Sequence, residues 1–156
     1  SGQLEIGVDT GSDLIEYRVK PNSFVTFDDG DFDANTLTAN SGKLTFSYGD
    51  CDLQKASLGN ISLTSKDGDL TVNELTLSGK TKIALSYGDA EITLNDSTKK
   101  VSGFDLATHY GTITASGLNG NKTLDEDDDV NTFQSDSKDG KTKLSIDSKD
   151  GDITVK

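Results

Sequence analysis

Asp125, Asp127 and Asp129 alternate within the run Asp125-Glu126-Asp127-Asp128-Asp129-Val130-Asn131. That spacing matches the first half of a calcium loop, where hard oxygen ligands converge on one cation. The bend position that needs glycine is Val130, and the twelfth position is Asp136 rather than a bidentate Glu. Runs of like charge are ordinarily solvated. No cofactor is therefore expected, calcium being the ion these three carboxylates could take. Tyr48, Tyr87 and Tyr110 each precede a glycine. Exposed in a row, they could stack on sugar rings or join a protein interface; the plainer expectation is that they cover the end of a core with the hydroxyl in water. His109 and Cys51 are the single histidine and cysteine. A nucleophile needs a base beside it and a group to orient that base. The pattern places Cys51 inward as a small hydrophobe and His109 outward on a turn, so catalysis through either is not expected.

What positions these groups follows from composition and repeat. The chain has 156 residues, 27 acidic and 15 basic, for a net charge of −12. Nucleic acid and anionic membrane surfaces are poor partners for such a chain, because phosphate binding needs clustered Lys and Arg. Hydrophobic residues make up 31%, with no Trp and no Met, which suits a thin apolar centre under much solvated surface. No run of about 18 apolar residues offers a membrane span. Ser1-Gly2 reads as a processing or cloning scar on a longer parent chain, and no leader is visible. The lone cysteine rules out an internal disulfide and leaves the compartment open.

One kind of glycine recurs, at 30, 49, 68, 88, 111 and 151. The spacings are 19, 19, 20, 23 and 40, the last reading as two periods with one marker lost near Asn131. A second set (Gly42, Gly59, Gly79, Gly103, Gly120, Gly140) lies between them. Each period thus holds two turns and two apolar-alternating stretches, and helix is disfavoured throughout. Five residues before the first set sit Val25, Leu44, Leu63, Ile83, Leu106 and Ile146; two after it come Phe32, Cys51, Leu70, Ala90, Ile113 and Ile153. Polar residues intervene, which is the period-2 signature of half-buried strands. A β-sandwich would have no reason to repeat one turn sequence at one spacing. The expected fold is all-β, a single-stranded β-solenoid (β-helix-like) with about 20 residues per coil and two main strands per coil. Stacked in chain order, Tyr87 and Tyr110 would be neighbours, with Asp67 between Tyr48 and Tyr87. Each turn glycine would supply a positive φ and the following Asp would close its own turn. One domain spans 1–156, with 1–23 as its opening coil and 121–136 as an acidic insertion or irregular coil.

The recurring Ser-x-x-Gly-Asp-Ile/Leu-Thr-Val units resemble the bacterial adhesin family of β-strand repeats, a domain of unknown function. The closing Gly140-Lys-Thr-Lys-Leu-Ser-Ile-Asp-Ser-Lys-Asp-Gly151-Asp-Ile-Thr-Val-Lys is similar to that family's C-terminal end. The likeness covers roughly residues 24–156. It implies a β-helix-like domain in the bacterial cell envelope, secreted or displayed, often one module of a larger protein, with no shared catalytic residues. The functional expectation is a non-enzymatic interaction or scaffold module, extracellular or in the envelope. Its partner would be an envelope or host protein or a glycan, without nucleic acid and without direct membrane insertion. The alternatives are a carbohydrate-binding or polysaccharide-acting β-helix and a calcium-stabilised solenoid. The narrow cross-section leaves little material for a substrate cleft.

Overall fold

The computed structural model describes residues 4–9, 14–127 and 129–156. The Ser1-Gly2 start and Asp128 of the acidic run lie outside the described residues. The chain opens with an antiparallel hairpin of β1 (Leu4–Asp9) and β2 (Leu14–Val19). Next come β3 (Ser23–Phe27) and β4 (Phe32–Phe46), and both β2 and β3 lie parallel to β4. The opening segment is thus a hairpin laid on the stack rather than a full coil. β5 (Cys51–Ser65) runs parallel to β4 from Phe32↔Cys51 to Phe46↔Ser65. β6 (Leu70–Leu77) and β7 (Lys80–Leu85) cover the two halves of β5, and β8 (Ala90–Leu94) lies on β6. Equivalent residues of successive segments pair directly, Leu44 with Leu63 and Leu63 with Ile83. The architecture is an all-β, β-solenoid-like curled sheet.

Chain order and stacking order then part company. α1 (Asp96–Val101) follows β8, and β9 (Gly103–His109) and β10 (Ile113–Ala115) come next. Neither β9 nor β10 pairs with the level before it. The last two strands, β13 (Lys143–Ser148) and β14 (Ile153–Val155), occupy that gap. β13 is parallel to both β7 and β9, and β14 to both β8 and β10. The aliphatic file therefore reads Val25, Leu44, Leu63, Ile83, Ile146, Leu106. This corrects the expectation of in-order stacking.

The 40-residue glycine spacing is likewise no pair of periods with a lost marker. Residues 121–136 form an antiparallel hairpin, β11 (Asn121–Asp125) and β12 (Val130–Ser135), whose second strand lies antiparallel on β9. Phe133 there pairs with Leu106 and is buried, closing that end of the core. The opposite end is plugged by aromatic rings: Phe32 packs against Tyr17 and Phe27 at centroid distances of 4.6 and 4.4 Å.

The helix is the second departure. The described chain has no other helix, and α1 stands in the connection between β8 and β9, where the chain steps past the level that β13 and β14 fill. Its sequence supplies the ends. Asn95 Oδ1 accepts a bond from the Thr98 amide at 2.9 Å, Asp96 occupies the first turn, and Lys99 and Lys100 the last, matching both cap preference and dipole. The return loop between β12 and β13 is tied by Asp139. Its carboxylate accepts bonds from the Ser137 and Thr142 hydroxyls, both at 2.6 Å, and from the Lys141 and Thr142 amides, both at 2.8 Å. Bonds from Ser137 and then Thr142 hold the Asp139 carboxyl below the usual carboxylate range. That tether is intact above the ordinary carboxylate pKa and is lost as pH falls through the lowered one.

The inserted level carries one misfit. Ser148 is fully buried between Leu85 and Thr108, and its hydroxyl has no hydrogen-bond partner. A buried unsatisfied hydroxyl costs about 1–3 kcal/mol, so Ser148→Ala is expected to stabilise the domain by about 1 kcal/mol, read as a higher urea midpoint.

Candidate functional site: a tyrosine–aspartate ladder

The turns between β3 and β4, and their equivalents on every level, stack into one edge. In stacking order the residue before the glycine is Asp29, Tyr48, Asp67, Tyr87, Asp150 and Tyr110. Tyrosine and aspartate thus alternate without a break. Asp150 of the inserted level separates Tyr87 from Tyr110, so the expected Tyr87–Tyr110 neighbour contact is corrected. Adjacent tyrosines stand two strand spacings apart, about 9.6 Å. Tyr48, Tyr87 and Tyr110 are 60%, 62% and 72% exposed. They project from the edge rather than covering the core.

The glycines pack carbonyl against Cα. A Cβ on Gly68 would fall 2.2 Å from the Gly49 carbonyl oxygen. The same contact repeats from Gly151 to Gly88 and from Gly111 to Gly151, at 2.1 Å each. Close approach between levels therefore demands glycine here, in addition to the positive φ at Gly68 and Gly151. At Gly111 close approach acts alone, because the positive φ of that turn falls on Tyr110 (59°) instead of the expected glycine.

The aspartates after the glycines also act between levels. Asp31 Oδ1 accepts from the Asp50 amide at 3.1 Å, Asp50 Oδ1 from Asp69 at 2.9 Å, and Asp69 Oδ1 from Asp89 at 2.8 Å. Asp89 then takes the Asp152 amide and Asp152 the Thr112 amide, both at 2.7 Å. The expected closure of each turn by its own Asp is replaced by this intercoil comb. It ends at Thr112, whose level receives no further parallel strand on that side. One carboxylate oxygen of each Asp remains to face solvent as an acceptor.

Of the three acidic positions, Asp125 ends β11 and its Oδ1 accepts the Asp127 amide at 3.1 Å. Asp129 has a φ of 51°, and its carbonyl accepts the Tyr110 amide at 3.1 Å. The structure so brings Tyr110 and Asp129 together at the top of the ladder. There they line an open cleft of about 400 Å³ with Leu124, Asn131 and Asp152. Among the described residues no group of three or more His, Cys, Asp or Glu side chains is placed to hold a metal ion. His109 is exposed beside Tyr110. Cys51 is 1% exposed, and burial, followed by the charges of Asp52 and Asp33, pushes its thiol up to about 12. It stays protonated at neutral pH and is no nucleophile. Among the described residues no helix is long and apolar enough to cross a membrane.

Parallel levels, an intercoil Asp comb and a glycine-stacked edge define a β-solenoid-like module. The chain belongs to the Toastrack family, DUF4097, a domain of unknown function whose family model matches residues 13–156. No curated protein and no solved structure matches the chain.

Proposed function

We propose that this Toastrack domain is a non-enzymatic recognition module of the bacterial cell envelope, and that the tyrosine–aspartate edge is its contact strip for an extended glycan. The observation that carries the reading is the unbroken alternation of Tyr and Asp in stacking order. Tyr87 and Tyr110 belong to successive coils of the chain, yet the inserted level sets them two rungs apart like Tyr48 and Tyr87. An extended β-linked polysaccharide presents the same sugar face at every second residue, and rings about 9.6 Å apart meet such a repeat. Tyrosine supplies a flat apolar face and a polar tip. The free oxygens of the comb accept hydroxyl protons alongside.

Binding of extended polysaccharides, measured by glycan array and affinity electrophoresis, tests the strip. Tyr87→Ala should weaken binding about tenfold, and Tyr48→Ala with Tyr110→Ala about a hundredfold, each stacked ring contributing about 1–1.5 kcal/mol. Since all three side chains are exposed, the variants should melt with the parent. A glycan signal indifferent to these tyrosines, or none at all, ends the reading.

A further inference from the structure

Away from the ladder, at the corner opened by the inserted level, a cleft of about 270 Å³ lies among α1, residues 117–119 and the end of β12. Lys99, Lys100 and Lys138 all line it. In a chain of net charge −12, that convergence runs against the overall field. None of the three pairs with a carboxylate among the described residues. Lys99 reaches across from the helix: a Cβ built on Gly117 would lie 2.9 Å from its ammonium nitrogen. Lys138 is held in place by its amide, which donates to the Val101 carbonyl at 2.9 Å, while the Ser137 hydroxyl donates to the same carbonyl at 3.2 Å.

Ser102 supplies the independent observation. It lines the same cleft, is 6% exposed, and its hydroxyl has no hydrogen-bond partner. The oxygen itself is closed to solvent. An orphaned buried hydroxyl calls for an explanation, and a turn of the Ser102 side chain toward the cleft that the residue lines would give it an acceptor on a bound ligand.

We propose that this cleft binds the phosphate of a polyol or sugar phosphate monoester. Lysine ammoniums are point charges that suit a tetrahedral oxyanion, whereas a planar carboxylate is matched by the guanidinium fork. No arginine lines the cleft. A phosphate monoester brings about −1.5 to −2 charges near neutrality, the largest gain available from three unpaired cations. Ser102 donates its hydroxyl proton to a phosphate oxygen. Asp96 and Asp136, which also line the cleft, accept hydroxyl protons from the polyol.

Titration calorimetry with glycerol 3-phosphate, inorganic phosphate and glycerol tests the assignment on the full chain. Glycerol 3-phosphate should bind more tightly than inorganic phosphate, and glycerol should not bind. Lys99→Gln and Lys138→Gln should each weaken binding about tenfold, the value of one charge-assisted bond. Lys43→Gln, on an exposed strand position elsewhere, should leave it unchanged. Ser102→Ala should weaken binding without lowering the melting temperature of the free protein, because in that state the hydroxyl bonds to nothing. No heat with either phosphate, equal losses with Lys43→Gln, or binding untouched by the Lys99 and Lys138 variants would each overturn the proposal.

Discussion

Gly151→Ala should cost about 4 kcal/mol, a large part of the stability of a domain this size. Two separable terms produce that figure. Gly151 has a φ of +143°, and its added Cβ would fall 2.1 Å from the Gly88 carbonyl oxygen. Forcing a side chain into such a backbone region costs about 1–3 kcal/mol, and overpacking against a fixed group costs a similar amount. Here the obstruction is backbone in a parallel ladder, so it cannot swing aside. Two other rungs isolate the terms. Gly30 has a φ of +92° but nothing within 4 Å of a Cβ, so Gly30→Ala should cost about 1 kcal/mol. Gly111 has no positive φ, yet its Cβ would lie 2.1 Å from the Gly151 carbonyl oxygen; Gly111→Ala should cost about 3 kcal/mol. Guanidinium midpoints of the three variants check the order. Equal losses at Gly30 and Gly151 with none at Gly111 would mean that turn conformation alone demands glycine.

The same rungs show what a single sequence can and cannot disclose. The pairing of Leu44 with Leu63 and of Leu63 with Ile83 follows from the 19- and 20-residue spacing, because register is set by which residues face inward. The place of β13 and β14 does not. Leu144, Ile146, Ile153 and Val155 carry the same alternation as every other level, so the apolar pattern fits them equally well into any gap. The clue lay in the polar residues: Tyr48, Asp67 and Tyr87 alternate, and only Asp150 placed before Tyr110 continues the sequence. The helix too had a local signature in Asn95-Asp96-Ser97-Thr98, outweighed by the strand-rich surroundings. The intercoil roles of Gly and Asp were hidden for a different reason. In one coil a Gly-Asp turn is complete by itself; the carbonyl and amide that constrain it arrive from another level. The lysine cleft likewise gathers Lys99, Lys100 and Lys138 from segments that look like scattered charge along the chain.

Removing residues 141–156 is the second large effect, and it distinguishes an inserted level from a terminal one. In a solenoid stacked in chain order, losing the last coil trims the rod and its neighbour becomes the new end. Here the deletion empties the middle. Leu144, Ile146, Ile153 and Val155 are each at most 1% exposed, and at about 1.5–3 kcal/mol apiece their loss is worth roughly 10 kcal/mol, comparable to the whole stability of an ordinary domain. The penalty extends to both sides, because β7 and β8 lose their partners on one face and β9 and β10 on the other. Closing the gap is resisted by α1 and by the Ser137 and Lys138 bonds to Val101, which set the corner for an extra rung. The chain ending at Gly140 should therefore lose cooperative unfolding and show a collapsed amide spectrum rather than a shortened native one. A peptide of residues 141–156 added in trans should restore dispersion, since the slot is defined on both edges by parallel strands. A truncated chain that keeps sharp dispersed signals and melts within a few degrees of the parent would place these strands at an end of the stack, and the alternation of the tyrosine edge would lose its structural basis.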